Sequence, residues 1–243
     1  MKAIILAAGY ATRLYPLTLD KPKTLLLIGN RPMLNYIIEK IEQINDVDVI
    51  YIITNNKFFN QFAEWSKTYK SKKQIKILND NTNSNEDRLG AIGDVNFLIN
   101  SENIDDDIIV VGSDNMFEFD LRKMVDFYKT KNAPVTALYD VKTKERAKLY
   151  GVVSIDKNSK ITSFKEKPQE PESTLISTCI YIYPRRCLYR IKEFLEEKSL
   201  PDKPGSLVEW LHAKENVYGY SFAGEWFDIG TFEELEMVRE RYA

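Results

Sequence analysis

Residues 2–13 read Lys2-Ala3-Ile4-Ile5-Leu6-Ala7-Ala8-Gly9-Tyr10-Ala11-Thr12-Arg13, an apolar run that gives way to a glycine and then to polar residues. A continuous apolar run is typical of a strand covered on both faces, as in a parallel sheet. We therefore predict a buried strand over residues 2–8, which ends at Gly9. Because ligands bind beyond the carboxyl ends of parallel strands, the loop that follows is the first candidate binding site.

The next part of the sequence alternates between apolar strand-like runs and amphipathic helical runs. The spacing of apolar residues predicts helices over 32–44, 57–69, 89–99 and 121–128. It predicts strands over 47–54, 75–78, 108–112 and 135–141. Strand-helix alternation builds a mostly parallel, Rossmann-like sheet with helices on both faces, so the predicted class is α/β.

From about residue 151 onwards, the pattern changes to hairpins and shorter elements. Two strand-like runs, 151–155 and 161–165, flank a polar turn, which is typical of a β-hairpin. We predict further strands over 174–183, 218–222 and 226–229, and helices over 186–197 and 206–214. The last helix has Thr231 as its N-cap and Glu234 three residues on, a capping box. The polar segments 79–88 and 198–205 are predicted loops.

Composition excludes several classes of function. The 243 residues include 34 basic and 36 acidic side chains, a net charge of -2, which gives no basic footprint for nucleic acid. Two cysteines without a CxxC spacing and a single histidine argue against a disulfide framework and against metal sites with several histidines. The sequence contains no run of about 18 apolar residues that could span a membrane. We expect a cytoplasmic protein with reduced thiols.

The loop after the first strand carries the strongest chemical signal. The small residues 7–9 let a phosphate approach the backbone, whose N–H groups can form an anion-binding concavity. Arg13 and Lys23 add positive charge, and Pro16 and Pro22 stiffen the loop. The loop matches neither a Walker loop nor a dinucleotide fingerprint. It predicts a phosphate-binding segment, with an ordinary strand-to-helix connection as the alternative.

This loop resembles the signature G-x-G-T-R-L-x-P-x-T-x-x-x-P-K of the sugar-1-phosphate nucleotidyltransferases. Ala11 stands where the second glycine of that signature lies, which leaves less room beside a triphosphate. The resemblance implies that Arg13 and Lys23 are the catalytic residues that stabilise phosphate charge. It also implies a nucleotide-binding set made of Leu6, Ala7, Ala8, Gly9, Arg13, Lys23 and, for a pyrimidine base, Gly90.

Further motifs of the same family follow in order along the chain. Asp114 in Gly112-Ser113-Asp114-Asn115 and Asp228 in Trp226-Phe227-Asp228-Ile229-Gly230-Thr231 resemble the carboxylates that hold Mg²⁺. The segments 150–153, 164–168 and 178–181 resemble the sugar-phosphate site. The resemblance implies that the substrate-binding residues are Tyr150, Gly151, Glu166, Lys167 and Thr178.

The resemblance implies transfer of a nucleotidyl group from a nucleoside triphosphate, with dTTP or UTP favoured, to a sugar 1-phosphate. A sugar 1-phosphate is a dianion near neutral pH, so it needs no general base, which suits a chain with one histidine. The implied architecture is one glycosyltransferase-A-like domain over 1–243, with a nucleotide-binding half (1–140) and a sugar-phosphate-binding half (141–243). A homo-oligomer is compatible with it.

Two alternatives stay open at this point. One is a cytidylyltransferase for phosphocholine or a related phosphonate, which shares the amino-terminal signature. The other is a nucleotide-sensing subunit without turnover. The Glu166-Lys167-Pro168 motif argues against the first alternative, because it resembles a sugar-phosphate clamp. The presence of Lys23, Asp114 and Asp228 argues against the second.

Overall fold

The computed structural model describes residues 1–197 and 203–242. No helix in this part of the chain is both long and apolar enough to cross a lipid bilayer. The strands, in chain order, are β1 (Lys2–Leu6), β2 (Leu27–Ile28), β3 (Arg31–Pro32), β4 (Val49–Thr54), β5 (Gln74–Asn79), β6 (Ile108–Gly112), β7 (Asn115–Phe117), β8 (Val135–Asp140), β9 (Gly151–Ile155), β10 (Ile161–Glu166), β11 (Leu175–Tyr183), β12 (Tyr218–Ser221) and β13 (Trp226–Asp228).

The α-helices have apolar faces that pack inwards, as in α1, where Met33, Leu34, Ile37, Ile38 and Ile41 are buried. In chain order they are α1 (Met33–Glu42), α2 (Phe59–Thr68), α3 (Ala91–Ser101), α4 (Leu121–Lys131), α5 (Lys144–Ala147), α6 (Tyr189–Glu196), α7 (Pro204–Leu211) and α8 (Phe232–Arg241). Short 3₁₀ turns span Thr12–Leu14, Lys23–Leu25 and Arg185–Cys187.

The chain forms two compact units, each assembled from separated segments. The first unit contains Met1–Leu89, Val111–Leu121 and Gly224–Ala243. Its central strands are parallel: β4 pairs with β1 and with β5, and every residue of β4 is buried. The ends of these strands are therefore level, with Leu6 opposite Ile53 and Thr54 opposite Asn79.

The second unit contains Gly90–Val110 and Arg122–Ala223. Here β9 and β10 form the antiparallel hairpin that the sequence predicts, and β11 pairs antiparallel with both β8 and β9. Strand β12 adds to β8 in parallel. Helix α7 packs against β10, so the start of α7 lies beside the end of the hairpin.

The predicted α/β class with a mostly parallel central sheet is confirmed. The differences lie at the ends of elements and in short elements that the sequence pattern does not predict, such as β7 and α5. Residue Pro32 pairs with Leu27 in a short ribbon, so α1 begins one residue later than predicted. Residues 198–202 of the predicted loop 198–205 lie outside the described part of the chain. Its end is helical, because α7 begins at Pro204, whose fixed φ suits a first helical turn.

Candidate functional site

The carboxyl ends of β1 and β4 are joined through the backbone of the glycine-bearing loop. The Ala7 N–H donates to the Ile53 carbonyl (2.9 Å), and the Asn55 amide donates to the Ala8 carbonyl (2.8 Å). Gly9 is exposed, and a Cβ at Gly9 would meet no atom within 4 Å. The loop therefore has a fixed backbone with open space above it, as close approach of a ligand requires.

Ala11 occupies the left-handed region of backbone conformation, with φ 48° and ψ 44°. Its carbonyl accepts a hydrogen bond from the Thr18 hydroxyl (2.8 Å), which closes the loop on itself. A glycine takes up this conformation without strain, whereas an alanine pays a steric cost. Ala11, where the sequence departs from the family signature, is therefore also a position of local backbone strain.

Two acidic residues come together through a short antiparallel ribbon in the first unit. Asp114 follows β6, and its neighbour Ser113 donates its backbone N–H to the Leu6 carbonyl (3.2 Å). Strand β13 pairs with β7 so that Asp228 lies opposite Asn115. Asp114 and Asp228, far apart in sequence, are thus placed beside the end of β1.

Lys23 lies at the centre of this arrangement. Its Nζ donates to Asp114 Oδ2 (3.0 Å) and to the Ile229 carbonyl (2.9 Å), and only 15% of its side chain is exposed. The other oxygen of Asp114 accepts from the Asn115 amide (2.9 Å), which in turn accepts from the Trp226 indole N–H (2.8 Å). This chain of hydrogen bonds fixes the orientation of the Asp114 carboxylate.

The environment shifts the pKa values of the Asp114 and Asp228 carboxylates in opposite directions. Burial raises the pKa of Asp114, but the charge and hydrogen bond of Lys23, together with backbone and Asn115 hydrogen bonds, outweigh it and lower the pKa below its usual value. Burial first, and then the negative charge of Asp114, raise the pKa of Asp228 to about 7. Without a further cation, Asp228 is the carboxylate whose ionisation the protein opposes.

Arg13 completes this group of charges. A Cβ at Gly230 would lie 3.1 Å from Arg13 Nη2, so the guanidinium packs directly against the Gly230 backbone. Arg13 also contributes attraction to the Asp228 carboxylate. We call Arg13, Lys23, Asp114 and Asp228 the Lys23 cluster. The structure thus brings together the four residues for which the sequence predicts catalytic or metal-binding roles.

Sequence reasoning did not assign roles to three participants in this site. The Ile229 carbonyl holds Lys23, and Asn115 orients Asp114. Glu234 accepts hydrogen bonds from the Gly230 and Thr231 backbone. A backbone carbonyl leaves no signal in a sequence. The capping-box spacing did identify Glu234, but as a helix start and not as a neighbour of the site.

The donor set suits Mg²⁺. Within residues 1–197 and 203–242, no group of three or more histidine, cysteine or acidic side chains is arranged to hold a metal ion. Magnesium needs fewer protein ligands, since it is commonly bound by one or two carboxylates together with substrate phosphates and waters. The repulsion between Asp114 and Asp228 that raises the pKa of Asp228 is the kind of repulsion that a bound cation relieves.

In the second unit, the hairpin brings two of the sequence motifs together. Glu166 lies opposite Gly151 in the β9–β10 pairing, and the Lys167 N–H donates to the Tyr150 carbonyl (3.1 Å). Lys167 has φ 49°, a left-handed conformation that is rare for a lysine and is found at functional sites more often than elsewhere. Tyr150, Gly151, Glu166 and Lys167 therefore form one compact group.

Gly205 makes room for the Glu166 carboxylate, and Gly151 makes room first for the Phe164 ring and then for the same carboxylate. A Cβ at Gly205 would overlap the carboxylate, and a Cβ at Gly151 would lie 3.1 Å from the same Oε2 atom. Glu209 on α7 accepts the Glu166 backbone N–H (3.3 Å). Burial raises the pKa of Glu166, while the charges of Lys167 and Lys203 oppose that rise. Helix α7 thus provides the surface against which Glu166 is held.

The remaining two candidate residues lie on other elements of the second unit, and Thr178 on β11 directly follows Ser177, which pairs with Gly151. Thr178 is 1% exposed, and its hydroxyl donates to the Ala137 carbonyl (3.1 Å) of the neighbouring strand. Gly90 is the N-cap of α3, with φ 82° and ψ 169°, a conformation for which glycine is needed. Their roles toward a substrate stay predictions, as do those of the other site residues.

Comparison with known proteins gives one family match over nearly the whole chain. The family model described as "Nucleotidyl transferase" matches residues 2–243. A Sulfolobus acidocaldarius (strain ATCC 33909) protein assigned as a mannose-1-phosphate guanyltransferase is 32% identical over the full chain. A glucose-1-phosphate adenylyltransferase of Clostridium novyi (strain NT) is 30% identical over 97% of the chain. The chain spans 64% and 65% of these two relatives, respectively.

Solved structures show the same fold. A Bacillus anthracis protein assigned as a glucose-1-phosphate thymidylyltransferase, crystallised in complex with sucrose, superposes with a TM-score of 0.79. It is 25% identical to this chain, and the match covers 100% of this chain and 95% of the other. The names of the three similar proteins share a sugar 1-phosphate and differ in the nucleotide.

Proposed function

We propose that this chain, which belongs to the nucleotidyl transferase family, joins a nucleoside triphosphate to a sugar 1-phosphate and releases pyrophosphate. An oxygen of the sugar phosphate attacks the α-phosphorus, and the bond from that phosphorus to the leaving pyrophosphate oxygen breaks. The attacking oxygen is already ionised near neutral pH, because the second pKa of a phosphate ester is about 6. No proton needs to be removed by the protein.

The observation that carries the proposal is the Lys23 cluster. Phosphoryl transfer depends mainly on alignment and charge neutralisation. Lys23 is held in place by Asp114 and by the Ile229 carbonyl, at the edge of the sheet where ligands bind in parallel α/β folds. A positive group fixed before the reaction stabilises developing charge without reorganisation. Arg13, packed on Gly230, supplies a second such group.

Mg²⁺ is part of the proposal, with Asp114 and Asp228 as its protein ligands. When bound, the ion neutralises phosphate charge and holds the triphosphate in line for attack. Asp114 is oriented for this role by Asn115, and Asp228 becomes a better ligand as it loses its proton.

The second unit supplies the acceptor site in this proposal. Lys167 contacts the sugar phosphate and Glu166 contacts sugar hydroxyls, with Tyr150, Gly151 and Thr178 around the sugar. The grouping of Glu166 and Lys167 with Tyr150 and Gly151 supports this assignment. A pyrimidine nucleotide, dTTP or UTP, stays the expected donor, with Gly90 beside the base. Because the relatives carry guanyl, adenylyl and thymidylyl names, a test must include all of these bases.

A pair of lysine substitutions tests the proposal. Lys23→Ala should lower turnover by about 100- to 1000-fold, the range seen when one preorganised charge-stabilising group is lost. Lys21→Ala removes an exposed lysine from the same loop and should leave turnover within about twofold. The assay is pyrophosphate release with the best nucleotide and sugar 1-phosphate. Equal rates for the two variants would remove Lys23 from the reaction.

A further inference from the structure

Helix α8 begins directly at the Lys23 cluster. Thr231 caps the helix by accepting the Glu234 N–H (3.3 Å), and Glu234 completes the capping box. Its Oε2 accepts two consecutive backbone N–H groups, from Gly230 (2.7 Å) and from Thr231 (2.9 Å). The second of these bonds belongs to the capping box, whereas the first reaches one residue further towards the site.

The turn that Glu234 holds touches several members of the Lys23 cluster. Within this turn, Ile229 donates its N–H to the Asp114 carbonyl (2.9 Å) and offers its own carbonyl to Lys23. Arg13 also packs on Gly230: its Nη2 lies 3.1 Å from the position of a Gly230 Cβ, and Glu234 Oε2 lies 3.4 Å from the same position. A shift of residues 228–230 would therefore move the contacts of Arg13 and Lys23 and the position of Asp228 together.

The helix gives this turn a rigid base. Leu235 and Val238 on α8 are fully buried, in one apolar cluster with Ile229, Met116 and Leu26. Because closely packed interiors resist small displacements, α8 cannot slide without repacking that cluster. Through its two hydrogen bonds, the Glu234 carboxylate holds the turn in a fixed position relative to the helix.

We propose that Glu234 is a positioning residue for the Lys23 cluster: its carboxylate oxygen fixes the 228–231 turn that holds Lys23, Arg13 and Asp228 in place. The inference rests on the proposed function only for its effect on turnover. A second consequence does not depend on turnover: in the free protein, Lys23 is restrained because Glu234 holds the turn. Glutamine can replace glutamate in this role, since a single oxygen accepts both hydrogen bonds.

Turnover measurements test the first part. Glu234→Ala should lower kcat by about 10- to 100-fold, the range seen when a residue that orients a ligand is lost. Glu234→Gln should recover kcat to within about threefold of the unchanged protein. The double variant Lys23→Ala/Glu234→Ala should lose less than the product of the two single losses, because part of the effect of Glu234 passes through Lys23. Full multiplicative loss in the double variant would overturn the proposal.

A matched control separates positioning from helix stability. Thr143 caps α5 by accepting the Arg146 N–H at 3.3 Å, the same distance as the Thr231 cap of α8. Thr143→Val should therefore lower the unfolding midpoint about as much as Thr231→Val, while leaving kcat unchanged. If Thr143→Val lowers kcat as much as Glu234→Ala does, a general loss of stability explains the effect and the proposal fails.

Chemical labelling of the free protein tests the second part without any turnover. Lys23 is 15% exposed and bound to two acceptors, so its amine should acetylate slowly with acetic anhydride. In Glu234→Ala, Lys23 should acetylate at least threefold faster by peptide mass spectrometry, whereas the exposed Lys57 should not change. An unchanged Lys23 rate overturns the proposal. Absence of turnover in the unchanged protein would instead contradict the proposed function, and the labelling would still decide this inference.

Discussion

Replacing Asp228 with asparagine should stabilise the metal-free protein at alkaline pH. Burial and the charge of Asp114 raise the pKa of Asp228 to about 7, against a usual value of 3.8. A group whose folded-state pKa is raised binds a proton in the folded chain that the unfolded chain has already released. Stability is therefore lost as the pH rises from about 4 to about 7, and the full loss persists above that range.

The size of the effect follows from this difference in pKa. Each tenfold change in proton affinity corresponds to about 1.4 kcal/mol, which sets an upper value of about 4 kcal/mol for Asp228. Water still reaches part of the side chain, which lowers the expected figure to about 2–4 kcal/mol. Asparagine has nearly the same shape and no charge, so Asp228→Asn should recover that amount at pH 8.

Urea denaturation of the metal-free protein in EDTA measures the prediction. At pH 8, Asp228→Asn should be about 2–4 kcal/mol more stable than the unchanged chain, and the difference should disappear near pH 4. Asp126→Asn, at an exposed position on α4, is the control and should change stability by no more than about 0.5 kcal/mol. If Asp228→Asn is not more stable at pH 8, or if its effect is the same at both pH values, the argument from charge repulsion is refuted.

Three further predictions concern neighbouring features. Asp114→Asn should lower the pKa of Asp228 from about 7 towards its usual value, as followed by carboxyl-carbon NMR titration, because one source of repulsion is removed. Gly205→Ala should raise KM for the sugar 1-phosphate about tenfold, because the added methyl group displaces the Glu166 carboxylate. The KM for the nucleotide should change little, and equal changes in both KM values would contradict this. Ala11→Gly should be neutral or up to about 1 kcal/mol stabilising by urea denaturation, because it relieves a left-handed alanine; a clear loss of stability would show that Ala11 is not strained.

Much of the fold could be predicted because its signals are local. The apolar run at residues 2–8 indicated β1, and the polar turn at 156–160 indicated the β9–β10 hairpin. Helix α5 was missed because it is only four residues long, with one cap at Thr143 and no apolar repeat to reveal it. Strand β7 was missed for a similar reason, since three residues are too few to show alternation.

In the candidate site too, the sequence predicts which residues take part but not the features that depend on the folded structure. The sequence motifs identified Asp114 and Asp228. The opposite directions of their pKa shifts depend on distances that no sequence pattern contains. At Ala11, the sequence showed the departure from the signature, and the structure added the left-handed conformation. The polar sequence of 198–205 predicts a loop, whereas Gly205 is a helical residue that makes room for Glu166.

³¹P NMR of the purified protein with Mg²⁺ tests whether this chain joins a nucleoside triphosphate to a sugar 1-phosphate. Each of dTTP, UTP, CTP, ATP and GTP is combined in turn with a panel of sugar 1-phosphates and with phosphocholine. We expect a nucleoside diphosphate-sugar and pyrophosphate in equal amounts with at least one sugar 1-phosphate, and no product with phosphocholine. Product with phosphocholine alone, or nucleotide binding without product in any combination, would contradict the claim.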